Sequence, residues 1–208
     1  MEALSSIPTA PDSRPLQGFY SHVANDVDDQ AISLTGWRQM YDQLTPGRFT
    51  GSIQELWVGG MQIFLESTSH VLRQSCVVDS ESWWFGIPMQ TSAGCRLGSS
   101  SIAEGMIAMR PGRSQFELLT PKGFQILGLV VPSCDLERHI HALNQSSVLP
   151  RAMQSHLLKV GEDQRLRLQG LVQQILHEAS SAPAILVNPT SSESIRIAVL
   201  DALADICS

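Results

Sequence analysis

The sequence predicts a mainly β protein, a jelly-roll β-barrel followed by a helical segment, and three observations carry that expectation. From Arg48 to Val131, short runs rich in Val, Ile, Phe and Trp are broken every eight to twelve residues by Gly, Pro, Asp or Ser, the spacing of an antiparallel barrel or sandwich. After Val131 the apolar period lengthens to that of amphipathic helices. The chain has 208 residues, 43% of them hydrophobic and 16% charged. It is long enough to bury a real core, and its charge is well below the ~25% of an average soluble protein, which excludes disorder and a coiled-coil rod.

Taken in order, residues 1–30 hold three prolines and the acidic cluster Asp26, Asp28 and Asp29, and read as a flexible N-terminal arm. Leu34, Trp37, Met40, Tyr41 and Leu44 recur at helical spacing before Thr45-Pro46-Gly47, which predicts one amphipathic helix leading into the barrel. Strands are expected near 48–58, 61–67, 71–78, 82–90, 93–98, 103–109, 114–119 and 123–131, with Gly59-Gly60 as a tight hairpin turn. A helix follows Pro132-Ser133, with Asp135 and Glu137 favourably placed in its first turn. A second, over 164–179, aligns Leu168, Leu171, Val172, Ile175, Leu176 and Ala179 on one stripe. The last begins at the capping box Thr190-Ser191-Ser192-Glu193 and lines up Ile195, Val199, Ala202, Leu203 and Ile206. No Gly or Pro stops it before Ser208, which predicts a piece of a longer protein. The domains are therefore expected as an arm (1–30), a barrel with a leading helix (31–131) and a helical dimerisation segment (132–208).

Charge and motifs narrow the function. Twenty acids against fourteen bases give a net charge of −6, which opposes contact with a phosphate backbone. No basic, apolar leader opens the chain, and its longest apolar stretch, Ile126 to Val131, is far short of the ~20 residues that cross a bilayer, so a cytoplasmic protein without a membrane partner is expected. Cys76, Cys95, Cys134 and Cys207 lack CxxC pairing and read as free thiols. Only His70 falls in the barrel region, and His139 and His141 point apart on a helix. Neither a metal nor another cofactor is expected. No GxSxG elbow or Gly-rich phosphate loop appears, so no catalytic residue is assigned.

What remains is a concentration of aromatics with a few polar groups in the expected strands, the composition of small-molecule pockets. The candidate ligand-binding residues are Glu55, Trp57, Gln74, Trp83, Trp84 and Phe85, with Arg73 as the alternative anchor. Strand alternation turns Leu72, Gln74 and Cys76 inward and Arg73 outward. An ammonium-bearing effector would use Glu55 with the faces of Trp57, Trp83 and Trp84, whereas a carboxylate would use Arg73. The amine is weakly favoured. The plain alternative is that these aromatics are core. The stripe Leu168, Leu171, Val172, Ile175 and Leu176 is expected at a homodimer interface, or else packed on the barrel of its own chain.

Several stretches carry a resemblance: Trp37 to Phe49 (WRQMYDQLTPGRF), then Leu72-Arg73-Gln74-Ser75-Cys76, Trp84-Phe85-Gly86-Ile87-Pro88, and Arg110-Pro111-Gly112 with Phe116-Glu117-Leu118 and Thr120-Pro121. Together they resemble the N-terminal regulatory domain of AraC-family transcription factors, in the branch that includes the bacterial ethanolamine-utilisation operon regulator. The resemblance implies a cupin-like effector-binding barrel, a helical dimerisation segment and two helix-turn-helix DNA-binding units of about 100 residues. Those units are absent from this sequence. From Cys134 onward, six bases against eight acids make the visible helices unsuited to a DNA groove. The expected function is effector sensing within a transcription factor. The alternative is a metal-free cupin-fold enzyme or a stand-alone binding module.

Overall fold

A computed structural model describes residues 17–90, 94–143, 156–183 and 188–207. In chain order the elements are β1 (Gly18–Ala24), α1 (Val27–Ala31), β2 (Trp37–Gln43), β3 (Gly51–Val58), β4 (Met61–Thr68), β5 (Leu72–Val78), β6 (Ser82–Pro88), β7 (Arg96–Leu97), β8 (Ser100–Ser101), β9 (Met106–Pro111), β10 (Phe116–Thr120) and β11 (Phe124–Pro132). They continue with α2 (Ser133–Ala142), β12 (Leu157–Lys159), α3 (Glu162–Ser181) and α4 (Pro189–Ile206). The strands form a seven-stranded sheet, β1-β3-β4-β11-β6-β9-β12, and a five-stranded sheet, β2-β5-β10-β7-β8. The paired strands described run antiparallel. The sheets face each other without closing, so the fold is a jelly-roll-like sandwich with C-terminal helices rather than a sealed barrel.

The hairpin at Gly59-Gly60 forms as expected, with φ of 56° and 77° and Val58 opposite Met61. Both residues take the positive φ that a two-residue hairpin turn demands. The leading helix does not form. Residues 37–43 are strand β2, paired with β5 from Trp37 opposite Val78 to Gln43 opposite Leu72. Trp37, Gln39 and Tyr41 alternate inward while Met40 stays 46% exposed. The same residues satisfy a period of two, and the open edge of β5 decides between the two periods.

The arm is also partly structured, because β1 pairs with β3 from Gly18 opposite Trp57 to Ala24 opposite Gly51. A further strand, β12, lies in the segment read as helical and pairs with β9. The strand expected at 93–98 is only Arg96–Leu97 here, and residue 93 lies outside the described residues. The last helix is capped two residues earlier than Thr190. The Asn188 side chain accepts from the Thr190 N–H at 2.9 Å, and Pro189 supplies the fixed φ of a first helical turn.

Two apolar layers follow from strand alternation. One lies between the sheets and joins Ile53, Phe64, Trp84 and Ile126 to Trp37, Leu72, Cys76 and Phe116. The other covers the opposite face of the seven-stranded sheet, where Leu56, Ile63, Trp83, Phe85, Leu127 and Leu129 meet the helices. In that second layer Leu168, Val172, Ile175 and Leu176 of α3 are buried and Leu171 packs beside them. The proposed dimer stripe is thus spent on its own sandwich. Gln169 fixes the seating by donating to the Pro88 carbonyl at 2.7 Å.

Ile175→Glu should therefore destabilise the folded chain by more than about 3 kcal/mol, since it places a carboxylate in an apolar layer. Leu166→Glu, on the 51% exposed face of the same helix, should change stability by less than about 0.5 kcal/mol. Denaturant unfolding followed by circular dichroism separates the two. Equal losses would mean that the layer is not built this way.

Candidate functional site

The space between the sheets is organised by aromatic rings laid on glycines. Gly86 of β6 and Gly128 of β11 are direct cross-strand neighbours. The Trp84 ring lies over the first and the Phe64 ring over the second, so closely that a Cβ would stand 2.4 Å and 2.0 Å from them. Trp37 comes from the other sheet and meets the Phe64 and Trp84 rings edge-on at 5.7 and 5.9 Å respectively, while Phe116 stacks on Trp84 at 4.8 Å. Ring edges carry positive charge and ring faces negative, which favours this arrangement.

Beside the rings runs a buried polar network. The Trp37 indole N–H donates to Gln62 Oε1 at 2.8 Å, and Gln62 Nε2 donates to Glu55 Oε1 at 2.8 Å and to the Thr35 carbonyl at 2.9 Å. Glu55 also accepts from Trp57 Nε1 at 2.6 Å and from the Thr35 N–H and hydroxyl at 3.2 and 3.3 Å. Its side chain is fully buried. Four donors, three of them on Oε1, and full burial commit this carboxylate to the fold rather than to an ammonium guest.

The remaining predicted residues disperse. Trp57 joins Glu55 as expected. Gln74 is buried on the inner face, opposite Tyr41 and Leu118. Trp84 faces the inner layer, but Trp83 and Phe85 necessarily face the helices, because neighbours along a strand point to opposite sides. Arg73 is outside, donating through Nε and a terminal nitrogen to its cross-strand partner Asp42 at 3.0 and 2.8 Å. An aromatic box of Trp57, Trp83 and Trp84 around an amine does not exist.

A second buried polar group lies outside the candidate residues. Glu66 of β4 accepts from Tyr41 Oη and from Gln30 Nε2, both at 3.0 Å. Burial pushes its carboxyl above the usual range, against the lowering effect of those two hydrogen bonds. Nearby in the inner face, Thr68 Oγ1, Thr120 Oγ1, Gln30 Oε1 and Gln39 Oε1 are buried without a partner among the described residues. Strand parity could have placed Glu66 inward, two residues from Phe64. Gln30 could not be found that way, because it comes from α1 in the supposed arm.

At the other end of the sandwich Arg110 of β9 is half-buried, cross-strand from Trp84. Its guanidinium lies 5.7 Å from the Phe116 ring centre and donates to His156 Nδ1 at 2.9 Å and to the Gln115 carbonyl at 3.1 Å. It lines a cavity of about 290 Å3 with Leu97, Ser99, Ser100, Phe116 and His156. A shallower depression of about 350 Å3 at the opposite end is lined by Thr50, Ser52, Ser67, Thr68 and Ser69. Among the described residues, no three His, Cys, Asp or Glu side chains gather as a metal site. Cys76, Cys95, Cys134 and Cys207 are free thiols. No described helix is long and apolar enough to cross a membrane.

Two predictions follow from the buried acids. Glu55→Ala should destabilise the chain by about 3 kcal/mol, because the Trp57, Gln62 and Thr35 donors lose their acceptor together. A calorimetric change under about 1 kcal/mol would contradict the network. Glu66, with its carboxyl raised in the folded state, holds its proton more tightly folded than unfolded. Stability should fall as pH rises from the unfolded carboxyl value of about 4.3 through the raised folded value. Glu66→Gln keeps an acceptor for Tyr41 and removes the titration, so its stability relative to the parent should improve over that interval. A constant difference from pH 4 to 8 would refute this.

The chain matches no protein-family model. Its fold is similar to that of a solved structure, the AraC-like transcriptional activator CuxR, with a TM-score of 0.55 over 90% of this chain and 69% of that one, at 11% sequence identity. That likeness is one of fold.

Proposed function

We propose that this chain is the effector-sensing part of an AraC-type transcription regulator, which binds a small molecule in the sandwich and passes its occupancy to DNA-binding units outside this sequence. The observation that carries the reading is unspent hydrogen-bonding capacity in the inner layer: Gln39 Oε1, Thr68 Oγ1, Thr120 Oγ1, Trp84 Nε1 and Arg110 Nε are buried without partners among the described residues. Each such atom costs about 1–3 kcal/mol, a deficit that a polar guest can reduce. The fold-level likeness to an AraC-like activator and the resemblance of the quoted stretches support the same reading. The net charge of −6 supports assigning DNA contact elsewhere.

Sensing is favoured over the enzyme alternative by how the reactive groups are held. Glu55 is fully buried and committed to donors from Thr35, Trp57 and Gln62, and burial drives the Cys76 thiol far above its ordinary value, so neither is a ready base or nucleophile. Membership of the ethanolamine-regulator branch rests on the resemblance alone. The amine effector loses its main support with the commitment of Glu55. A homodimer remains part of the proposal, through a surface other than the buried stripe of α3.

Thermal-shift screening against small polar metabolites tests the reading. At least one compound should raise the melting temperature, since a ligand at 100 times its Kd stabilises by about 2.7 kcal/mol, and mass spectrometry should find it unchanged. Conversion of the stabilising compound would establish the enzyme alternative instead. A library with no stabilising member would refute the proposal.

A further inference from the structure

Arg110 is the charged group that the fold leaves least complete. Two of its guanidinium N–H groups go to neutral acceptors, His156 Nδ1 and the Gln115 carbonyl, and Nε is buried without a partner among the described residues. No acidic side chain among the described residues forms an ion pair with it. Glu117 also lines the cavity, but it sits on the outward side of β10, where its charge acts on Arg73. Arg96 donates to the Ser99 carbonyl at the cavity rim and likewise has no described acidic partner. The balance at this end of the sandwich is positive.

The protein around Arg110 is built as a wall. Its guanidinium lies against Phe116, which stacks on Trp84, whose own indole N–H is buried without a partner among the described residues. His156 takes a left-handed backbone conformation, φ 57°, that non-glycine residues adopt rarely, and is anchored there by the Met109 N–H to its carbonyl. Burial lowers the His156 ring's affinity for a proton, and the Arg110 charge lowers it further, which keeps the ring an acceptor rather than a competing cation. Burial also disfavours the charged form of Arg110, as expected of a cation lacking a counter-charge.

We propose that this cavity binds the carboxylate of a small organic acid, with the Arg110 guanidinium supplying the counter-charge, the Ser99 and Ser100 segment the polar rim and Phe116 the apolar wall. The inference rests on the sensor reading and names its ligand class. A volume of about 290 Å3 lies at the lower edge of the ~300–1,000 Å3 of small-molecule sites, which suits an acid of few atoms. One guanidinium beside an aromatic ring suits a carboxylate better than a phosphate, whose sites gather several donors and cations.

The test is a titration of the 15N-labelled chain with sodium benzoate, sodium acetate, sodium phosphate and benzylamine hydrochloride at constant ionic strength. Benzoate should shift the Arg110 Nε–H, Trp84 indole and Ser99 and Ser100 amide resonances in a saturable way. Arg110→Gln should weaken that binding roughly tenfold or more, while Arg73→Gln leaves it unchanged. If Arg110→Gln fails to fold, Arg110→Lys carries the comparison, and it too should bind more weakly because the planar fork is lost. Absence of saturable shifts with both carboxylates, saturation by phosphate or benzylamine alone, or unaltered benzoate affinity in the folded Arg110 variant would overturn the proposal. The two readings fail separately. A neutral or cationic metabolite that stabilises the parent and Arg110→Gln equally leaves the sensor standing and removes the carboxylate. Benzoate that saturates the site without changing hydrogen exchange in α3 and α4 or self-association leaves the carboxylate site standing and removes the sensor.

Discussion

The close approach of two aromatic rings to two backbone strands is the constraint on which the rest of the sandwich depends. Gly86 and Gly128 lie side by side in the seven-stranded sheet, and Trp84 and Phe64 lie flat over the space their missing side chains leave. Any Cβ there would meet a ring at less than contact distance, and repacking of this kind costs about 1–3 kcal/mol. With the rings held low, Trp37 can enter edge-on from the opposite sheet and bring its indole N–H to Gln62. The spacing of the sheets, the entry of β2 and the start of the polar network thus share one cause.

The polar network turns that packing into specificity. Glu55, Gln62 and Thr35 tie β3, β4 and the segment before β2 together through bonds that demand one register. Glu66, Tyr41 and Gln30 do the same for α1, β2 and β4. Buried polar groups are costly when unpaired and restrictive when paired, so the two clusters select this arrangement among many apolar ones. They also divide the interior by role. Glu55 is committed by burial and its four donors, whereas the end of the sandwich at Arg110 retains charge and hydrogen-bonding groups without partners among the described residues.

The helices belong to the same logic. Their apolar stripe covers the outer face of the seven-stranded sheet, where Trp83 and Phe85 stand one residue away from the inward Trp84. A single strand therefore touches both the interior layer and the helical layer. β6 touches α3 directly, since Gln169 donates to the Pro88 carbonyl, and β6 is also the strand that pairs with β9, which carries Arg110.

By itself the sequence determined the class of fold: the central runs of β-forming residues other than that at 93–98, the turn at Gly59-Gly60, the inward face of Leu72, Gln74 and Cys76, and the three C-terminal helices. Those features rest on local periodicity and turn chemistry, which a chain carries with it. Only the tertiary structure decided the rest. Trp37 to Gln43 satisfies helical and strand periods alike, and the edge of β5 made it a strand. Gly18 to Ala24 pairs because β3 offers an edge, not because its own pattern is strong. The α3 stripe is apolar whether it meets a partner or its own sheet, and the outer face of β3 and β4 settled which. The site followed the same rule. Periodicity places a side chain on a face but says nothing of what else reaches that face, so the commitment of Glu55, the pairing of Arg73 with Asp42 and the Arg110 Nε without a partner among the described residues emerge only when distant strands are brought within hydrogen-bonding distance.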